Sequence, residues 1–333
     1  MATAITSVGT GTAGITSQFQ TKFSKDLLEK AVHTLQLHQF AHQADLPKNV
    51  GGKSIRFFRP VQADTANVQT LTEGTPLTNF TQLTYENIDC NLAQYGEAIK
   101  FTDIIGWTSL LNVMKDGITL MGEDCAIKAD DITLNAIMAG TGDGAVVKRY
   151  SGGTTTYATF NPLSQSAGKF SYTDGLDAMT NLKLNKAPRI NGEYIGIASP
   201  RIARDLMTDT NWINASAYSA VQQLFKGEVG SLGGVRYVLS TNEWMETAGT
   251  ENTRTLTAAS SNNYATIFTG KGAYGVPKLA GTSPYKPQVI IADKADKSDP
   301  LNQNMFVGWK AYYGACVLNK NWIVKTLSKS VYA

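Results

Sequence analysis

Histidine is almost missing from this chain. There are three in 333 residues, His33, His38 and His42. Everything after residue 42 therefore lacks an imidazole for proton transfer, which argues against histidine-based catalysis. His38 and His42 stand four apart, the spacing of two metal ligands on one helix face. No cysteine lies near them and the helix that would carry them ends around His38, so they read as surface histidines, and no metal and no cofactor is expected. Cysteine is as rare: Cys90, Cys125 and Cys316 lie far apart without a C-x-x-C pair. They read as reduced, structural thiols in a cytosolic setting. Charged residues are 17% of the chain, against a usual ~25%, and the net charge of +3 is too small to imply nucleic-acid binding by itself. No apolar run reaches the ~18 residues of a membrane helix, and the first residues lack the basic and apolar regions of a signal peptide. Neither membrane insertion nor export is expected.

The motifs of common catalytic sites are missing too: no G-x-S-x-G, H-E-x-x-H or D-x-D-x-D-G occurs. Gly270-Lys-Gly272-Ala-Tyr-Gly275 matches G-x-G-x-x-G, but Pro277, Gly281 and Pro284 follow where a dinucleotide site needs a helix. It reads as a turn. Gly140-Thr-Gly-Asp-Gly144 lacks the Gly-Lys-Ser/Thr ending of a phosphate loop and reads as a helix stop. Glu123-Asp124 and Asp130-Asp131 are adjacent on a helix, so the members of each pair point different ways and form no carboxylate dyad. An enzyme is the least favoured reading. A sparse surface charge fits a chain that covers its outside with copies of itself, and equally a Thr- and Asn-rich soluble protein.

What is present is organised around residues 51–144. An alternating segment, Lys53-Ser-Ile-Arg-Phe-Phe-Arg59, runs into a polar, nearly uncharged excursion and returns over Phe80 to Asp89. The Glu73-Gly74-Thr75-Pro76 stretch marks a turn. Roughly twenty residues out and twenty back, at ~3.3 Å each, reach up to ~60 Å, against a radius of gyration of about 20 Å for a chain of this length. A lone two-stranded hairpin is marginal in water, so this arm is expected to lie on other copies. Lys53, Arg56, Arg59, Glu73 and Phe80 are the candidate inter-subunit contacts; the default reading of the three cations is solvated strand residues.

A third extended segment, Asn91 to Thr102, precedes a helix predicted from about Trp107 to Ala139. Its stripe is Trp107, Leu111, Met114, Ile118, Met121, Cys125, Ala129, Ile132 and Ala136. Gly117 and Gly122 weaken it and allow close packing or a bend there, and Gly140 stops it. Before the arm, Phe19 to His38 predicts an amphipathic helix with Ser17 as its cap, and Gln39 to Gly52 a breaker tract. Beyond the helix, Ala145 to Ser171 reads as a loop or small hairpin. From Thr173 to about Tyr285, strands (Tyr194 to Ala198, Val235 to Ser240, Tyr264 to Thr269) alternate with helices (Asp174 to Asn185, from Ser199-Pro200 to Met207, Ala217 to Phe225). The last block returns to strands, Gln288 to Ala292, Met305 to Leu318 and Trp322 to Leu327. Its Trp309, Tyr312, Tyr313 and Trp322 are expected on the long helix, whose net charge of −3 opposes +4 in residues 286–333.

The order of these parts resembles the major capsid proteins of tailed bacteriophages, which carry the Hong Kong phage capsid fold, and within them a family whose extended loop precedes the long helix. The resemblance rests on Lys25-Asp-Leu-Leu-Glu29, Leu46-Pro-Lys-Asn-Val-Gly-Gly-Lys53, Arg56-Phe-Phe-Arg59, Leu71-Thr-Glu-Gly-Thr-Pro76, Gln94-Tyr-Gly96, Phe101-Thr-Asp-Ile104 and Gly308-Trp-Lys310. It covers about residues 20 to 328. It implies an α+β fold with an N-terminal arm (1–50), an extended β-hairpin loop (51–90), a peripheral domain (91–171 and 286–333) with spine helix 107–139, and an axial α/β domain (172–285). It also implies pentamers and hexamers closing an icosahedral shell around double-stranded DNA, in the virion and assembled in the host cytoplasm, with portal, decoration and scaffold proteins as further partners. Some relatives crosslink a loop lysine to an asparagine, but residues 56–89 hold no lysine, so that chemistry is not carried over. Fewer than fifty residues before the arm lead to the expectation of a separate scaffold protein. An encapsulin-like compartment of the same fold is the alternative.

Overall fold

The computed structural model describes residues 37–46, 53–61, 68, 70–71, 73–74, 76, 80–109, 113–212, 228–247, 250, 253–256, 262–279, 288–292 and 303–332. The predicted helix from Phe19, the helix from Ala217 to Phe225 and the polar turn after Ala292 lie outside them, apart from Leu37, His38 and Gln303.

In chain order the elements are β1 (His42–Leu46), β2 (Ser54–Pro60), β3 (Tyr85–Asn91), β4 (Ala93–Thr102), α1 (Asp103–Thr108), α2 (Val113–Ala139), β5 (Val147–Tyr150) and α3 (Tyr157–Phe160). They continue with α4 (Tyr172–Leu184), β6 (Tyr194–Ala198), α5 (Pro200–Met207), β7 (Glu228–Leu232), β8 (Val235–Leu239), β9 (Met245–Glu246) and β10 (Arg254–Thr255). The last are β11 (Asn263–Thr269), β12 (Tyr274–Leu279), β13 (Gln288–Ala292), β14 (Asn304–Tyr313), β15 (Cys316–Val317) and β16 (Ile323–Ser328). The mixture is α+β. Two compact units divide it: among the described residues the smaller holds 96–109, 113–125, 288–292 and 303–310, and the larger holds the rest.

The larger unit is built on an eight-stranded mixed sheet. β11 is its centre, antiparallel to β16 on one edge and to β6 and β9 on the other. β5 extends the sheet parallel to β16, and β8 parallel to β6. Both faces are covered, so β6, β11 and β16 are buried at every position, the polar Thr266 and Thr269 of β11 and Lys325 and Thr326 of β16 included. Because successive side chains alternate, Ile195, Ile197, Ile267, Ile323 and Leu327 pack with Leu134, Ile137 and Met138 of α2. Tyr194, Ala198, Phe268 and Val324 pack instead with Ala178, Met179 and Leu182 of α4 and Ile202 and Leu206 of α5.

Helix ends follow local chemistry. Ser199 accepts from the Ile202 amide, with Pro200 at the first turn of α5, as the Ser-Pro signal predicts. Ser171 and Asp174 form a capping box on α4, a signal the sequence reading missed. At the end of α2, Gly140 takes φ +69°. Its amide donates to Ile137 and that of Thr141 to Ala136, a Schellman stop.

Several expectations are corrected. The long helix does not run unbroken from Trp107. Trp107 belongs to α1, which ends where Ser109 turns extended at ψ 132°, and α2 begins only at Val113. An apolar stripe reports which face is buried and not whether the backbone between two of its members stays helical. Gly117 of α2 does pack closely, against the Phe101 ring. The breaker tract contains a strand, β1, which pairs in parallel with β12. Main-chain bonding at an edge needs no side-chain alternation, so no local pattern announces it. The expected turn over Gly270–Gly275 is shorter than that: Lys271 and Gly272 turn, whereas Tyr274 and Gly275 already belong to β12, which runs on through Pro277. Ala145–Ser171 contributes β5 to the main sheet and the short helix α3. The predicted strand from Met305 to Leu318 breaks after Tyr313. Among the aromatics, Tyr313 does pack on α2, beside Ala129 and Ala136, while Tyr312, its neighbour on an alternating strand, is exposed. The last block does lie against α2, Val317, Ile323 and Leu327 packing with Leu134, Ile137 and Met138, while Asp131 of α2 pairs with Arg254 and Lys128.

No helix among the described residues is long and apolar enough to cross a membrane, and no described group of three or more His, Cys, Asp or Glu side chains is placed to hold a metal ion.

Candidate assembly surface

The arm begins as a two-stranded hairpin. β2 and β3 are antiparallel, in register from Ser54 opposite Asn91 to Pro60 opposite Tyr85. Period-two alternation turns Ile55, Phe57 and Arg59 inward and Ser54, Arg56, Phe58 and Pro60 outward. Phe57 closes a small core with Ile88, Cys90, Cys316 and Leu318, and its ring meets His42 edge-on at 6.1 Å. The three cysteines are buried and form no disulfide; a hydrogen bond with the Cys90 thiol, and then burial, push the Cys316 thiol up.

Two arginines bind the hairpin. Arg56 donates to both oxygens of Asp89, its cross-strand partner, at 2.7 and 2.8 Å. Those hydrogen bonds hold the Asp89 carboxyl below the usual carboxylate range. Arg59 reaches further. It donates to Asp143 at 2.9 Å and to the Leu318 carbonyl at 2.8 Å, and it pairs with Glu86. Asp143 lies in the Gly-rich stop after α2, 84 residues away in sequence, and nothing in the sequence announces the pair. Since the Asp143 side chain is only 12% exposed, Arg59→Met leaves a largely buried carboxylate without its cation, held only by the Lys320 amide at 2.9 Å. It is expected to destabilise the chain by about 2 kcal/mol, read as a lowered urea midpoint, while Arg56→Ala changes the midpoint far less. Equal midpoints for wild type and Arg59→Met would show that the arm's base is held by packing alone.

His38 and His42, spaced like ligands, are not brought together: His38 sits in a 3-10 turn and His42 on β1. The His38 ring shares a hydrogen bond with the Tyr313 hydroxyl at 3.2 Å, which in turn meets Thr133 of α2 at 2.8 Å. Burial lowers the His38 imidazole below its ordinary range.

Phe80 is 81% exposed, Val68 79%, Leu71 71% and Phe58 66%, with Leu83 and Tyr85 also exposed. Lys53 and Glu73 are exposed as well. Residues 61–85 carry two charges, Asp64 and Glu73. Scattered exposed apolar residues are ordinary; several within one weakly charged segment are less so. Of the five candidate contacts, then, Lys53, Glu73 and Phe80 face solvent, whereas Arg56 and Arg59 are engaged by carboxylates of their own chain.

No family model matches the sequence, and no curated protein does. Solved structures match it along nearly its whole length. The capsid of the cyanophage P-SCSP1u shares 18% identity, with 96% of each chain covered and a TM-score of 0.64. The capsid of Ralstonia phage GP4 shares 13%, covering 97% of this chain and 98% of that one at 0.67. An encapsulin complex from Synechococcus elongatus shares 10%, covering 96% and 95% at 0.59. The chain therefore has the fold of tailed-phage capsid proteins, which the encapsulin shares.

Proposed function

We propose that this chain is the repeating subunit of an icosahedral phage shell, a structural protein rather than an enzyme. One observation carries the reading: the arm's base is built into the subunit by Phe57 and Arg59, while the side chains of Phe58, Val68, Leu71 and Phe80 are left in water. Covering such side chains stabilises by ~1.5–3 kcal/mol each, and a sister chain is the surface present in every copy. The capsid likeness over nearly the full length supports it.

In this reading residues 1–50 are the N-terminal arm, 51–90 the extended loop, 91–171 with 286–333 the peripheral domain, and 172–285 the axial domain. Copies meet head to tail in rings of five and six whose rotation closes. Lys53, Glu73 and Phe80 contact the neighbour, and Arg56 and Arg59 hold the hairpin that presents them. The shell encloses double-stranded DNA in the virion, is assembled in the host cytoplasm, and takes portal, decoration and scaffold proteins as partners. The encapsulin likeness favours a second reading, a compartment around protein cargo. Negative-stain imaging of the expressed chain tests the shell: closed particles are expected, and soluble monomers at high concentration would overturn it. Nuclease-protected DNA in virions, and protein cargo in its place, separate the two readings.

A further inference from the structure

One end of the main sheet gathers positive charge from three separate segments. Lys183, Lys186 and Arg189 lie at and just after the end of α4, Lys271 in the turn between β11 and β12, and Lys320 in the 3-10 turn before β16; all five are exposed. Backbone and amide contacts bring the segments together. Asn185 donates to the Asn321 carbonyl at 3.1 Å and accepts from the Trp322 indole at 3.2 Å. The Lys271 amide donates to Pro188 at 2.9 Å. Among the described residues, Asp143 and Glu193 border the group, and each meets an arginine from elsewhere, Arg59 and Arg236; Asp143 also accepts from the Lys320 amide at 2.9 Å, and its carbonyl from the Lys320 Nζ at 3.5 Å. Lys183, Arg189 and Lys271 therefore stand in excess of these two carboxylates. Leu184 is the exposed large apolar side chain beside it, too little apolar surface for the core of a protein interface.

We infer that this patch is a binding surface for the phosphate backbone of duplex DNA. Lysines on separate turns act as point charges that track a polymer of phosphates without reading bases. The inference rests on the shell reading and names the face of the subunit that meets the enclosed nucleic acid.

The test uses the full-length chain below its assembly concentration and a 30-base-pair DNA duplex, followed by fluorescence anisotropy from about 50 to 200 mM salt. Replacing Lys183, Arg189, Lys271 and Lys320 by Gln is expected to reduce the slope of log affinity against log salt by about 3–4. The same number of changes elsewhere, at Lys100, Lys128, Arg149 and Arg204, leaves the slope unchanged. Melting curves confirm that both variants fold. An unchanged slope in the patch variant, or an equal loss in the control, overturns the inference. So does a patch variant that binds DNA normally but forms no particles, which makes the patch a subunit contact. Shells from wild type with normal binding by the patch variant leave the shell reading standing and sink this inference alone.

Discussion

A chain lacking Val61 to Phe80 folds and melts like the intact chain but closes no shells. The expectation follows from where the arm is held. β2 ends at Pro60 and β3 begins at Tyr85, so the deletion leaves Thr81 to Thr84 as a four-residue hairpin loop, a common length. The Phe57 core, the Arg56 pair and the Arg59 network all lie on the retained side. What is lost includes Val68, Leu71 and Phe80, exposed in the subunit and thus contributing little to its stability. Their burial on a neighbour, ~1.5–3 kcal/mol each, is repeated at every subunit, so its loss moves assembly from closed particles to free subunits. Sedimentation and imaging read the outcome. Normal shells would show the arm to be dispensable; an unfolded deletion would show that the removed segment packs on its own body.

Gly314→Ala is expected to have the largest effect of any single methyl group at the arm's base. Gly314 is buried in the break between β14 and β15, and a Cβ there would strike the carbonyl oxygen of Asn91, the last residue of β3. Both partners are main chain, so neither can swing away. Relief requires β3 to shift from its seat beside Cys316 and Leu318. Overpacking of this kind costs about 3 kcal/mol, enough to lower the melting temperature by several degrees. The hairpin's base is also expected to become a site of limited proteolysis, because the strand that moves is the one that carries the arm. A variant with wild-type melting and protease resistance would mean that β3 is not fixed by this contact.

Features written in local sequence were readable in advance. The Ser199-Pro200 start, the Gly140 stop, the alternation of Ile55, Phe57 and Arg59, and the failure of the Gly270–Gly275 motif to lead into a helix each depend on a few neighbouring residues. What escaped depends on partners far away or on the main chain. β1 bonds to β12 through backbone groups that any residue carries. Arg59 finds Asp143 across 84 positions, and Cys90 finds Cys316 across the whole body of the chain. The gap between α1 and α2 lies inside a stripe that stays apolar on both sides of it. The candidate contacts divided the same way: exposure of Phe80 was visible as an apolar residue in a polar tract, whereas the inward use of Arg59 needed the fold. The cations of the sheet-end patch are unremarkable singly, and only the topology brings them to one place.

The account turns on where Phe80 rests once copies meet. Benzoylphenylalanine placed at position 80 and irradiated in the assembled protein, with peptide mapping in a mixture of isotopically light and heavy chains, answers this directly. The account predicts adducts between light and heavy chains, joining position 80 to a second copy. Adducts confined to a single chain would contradict it.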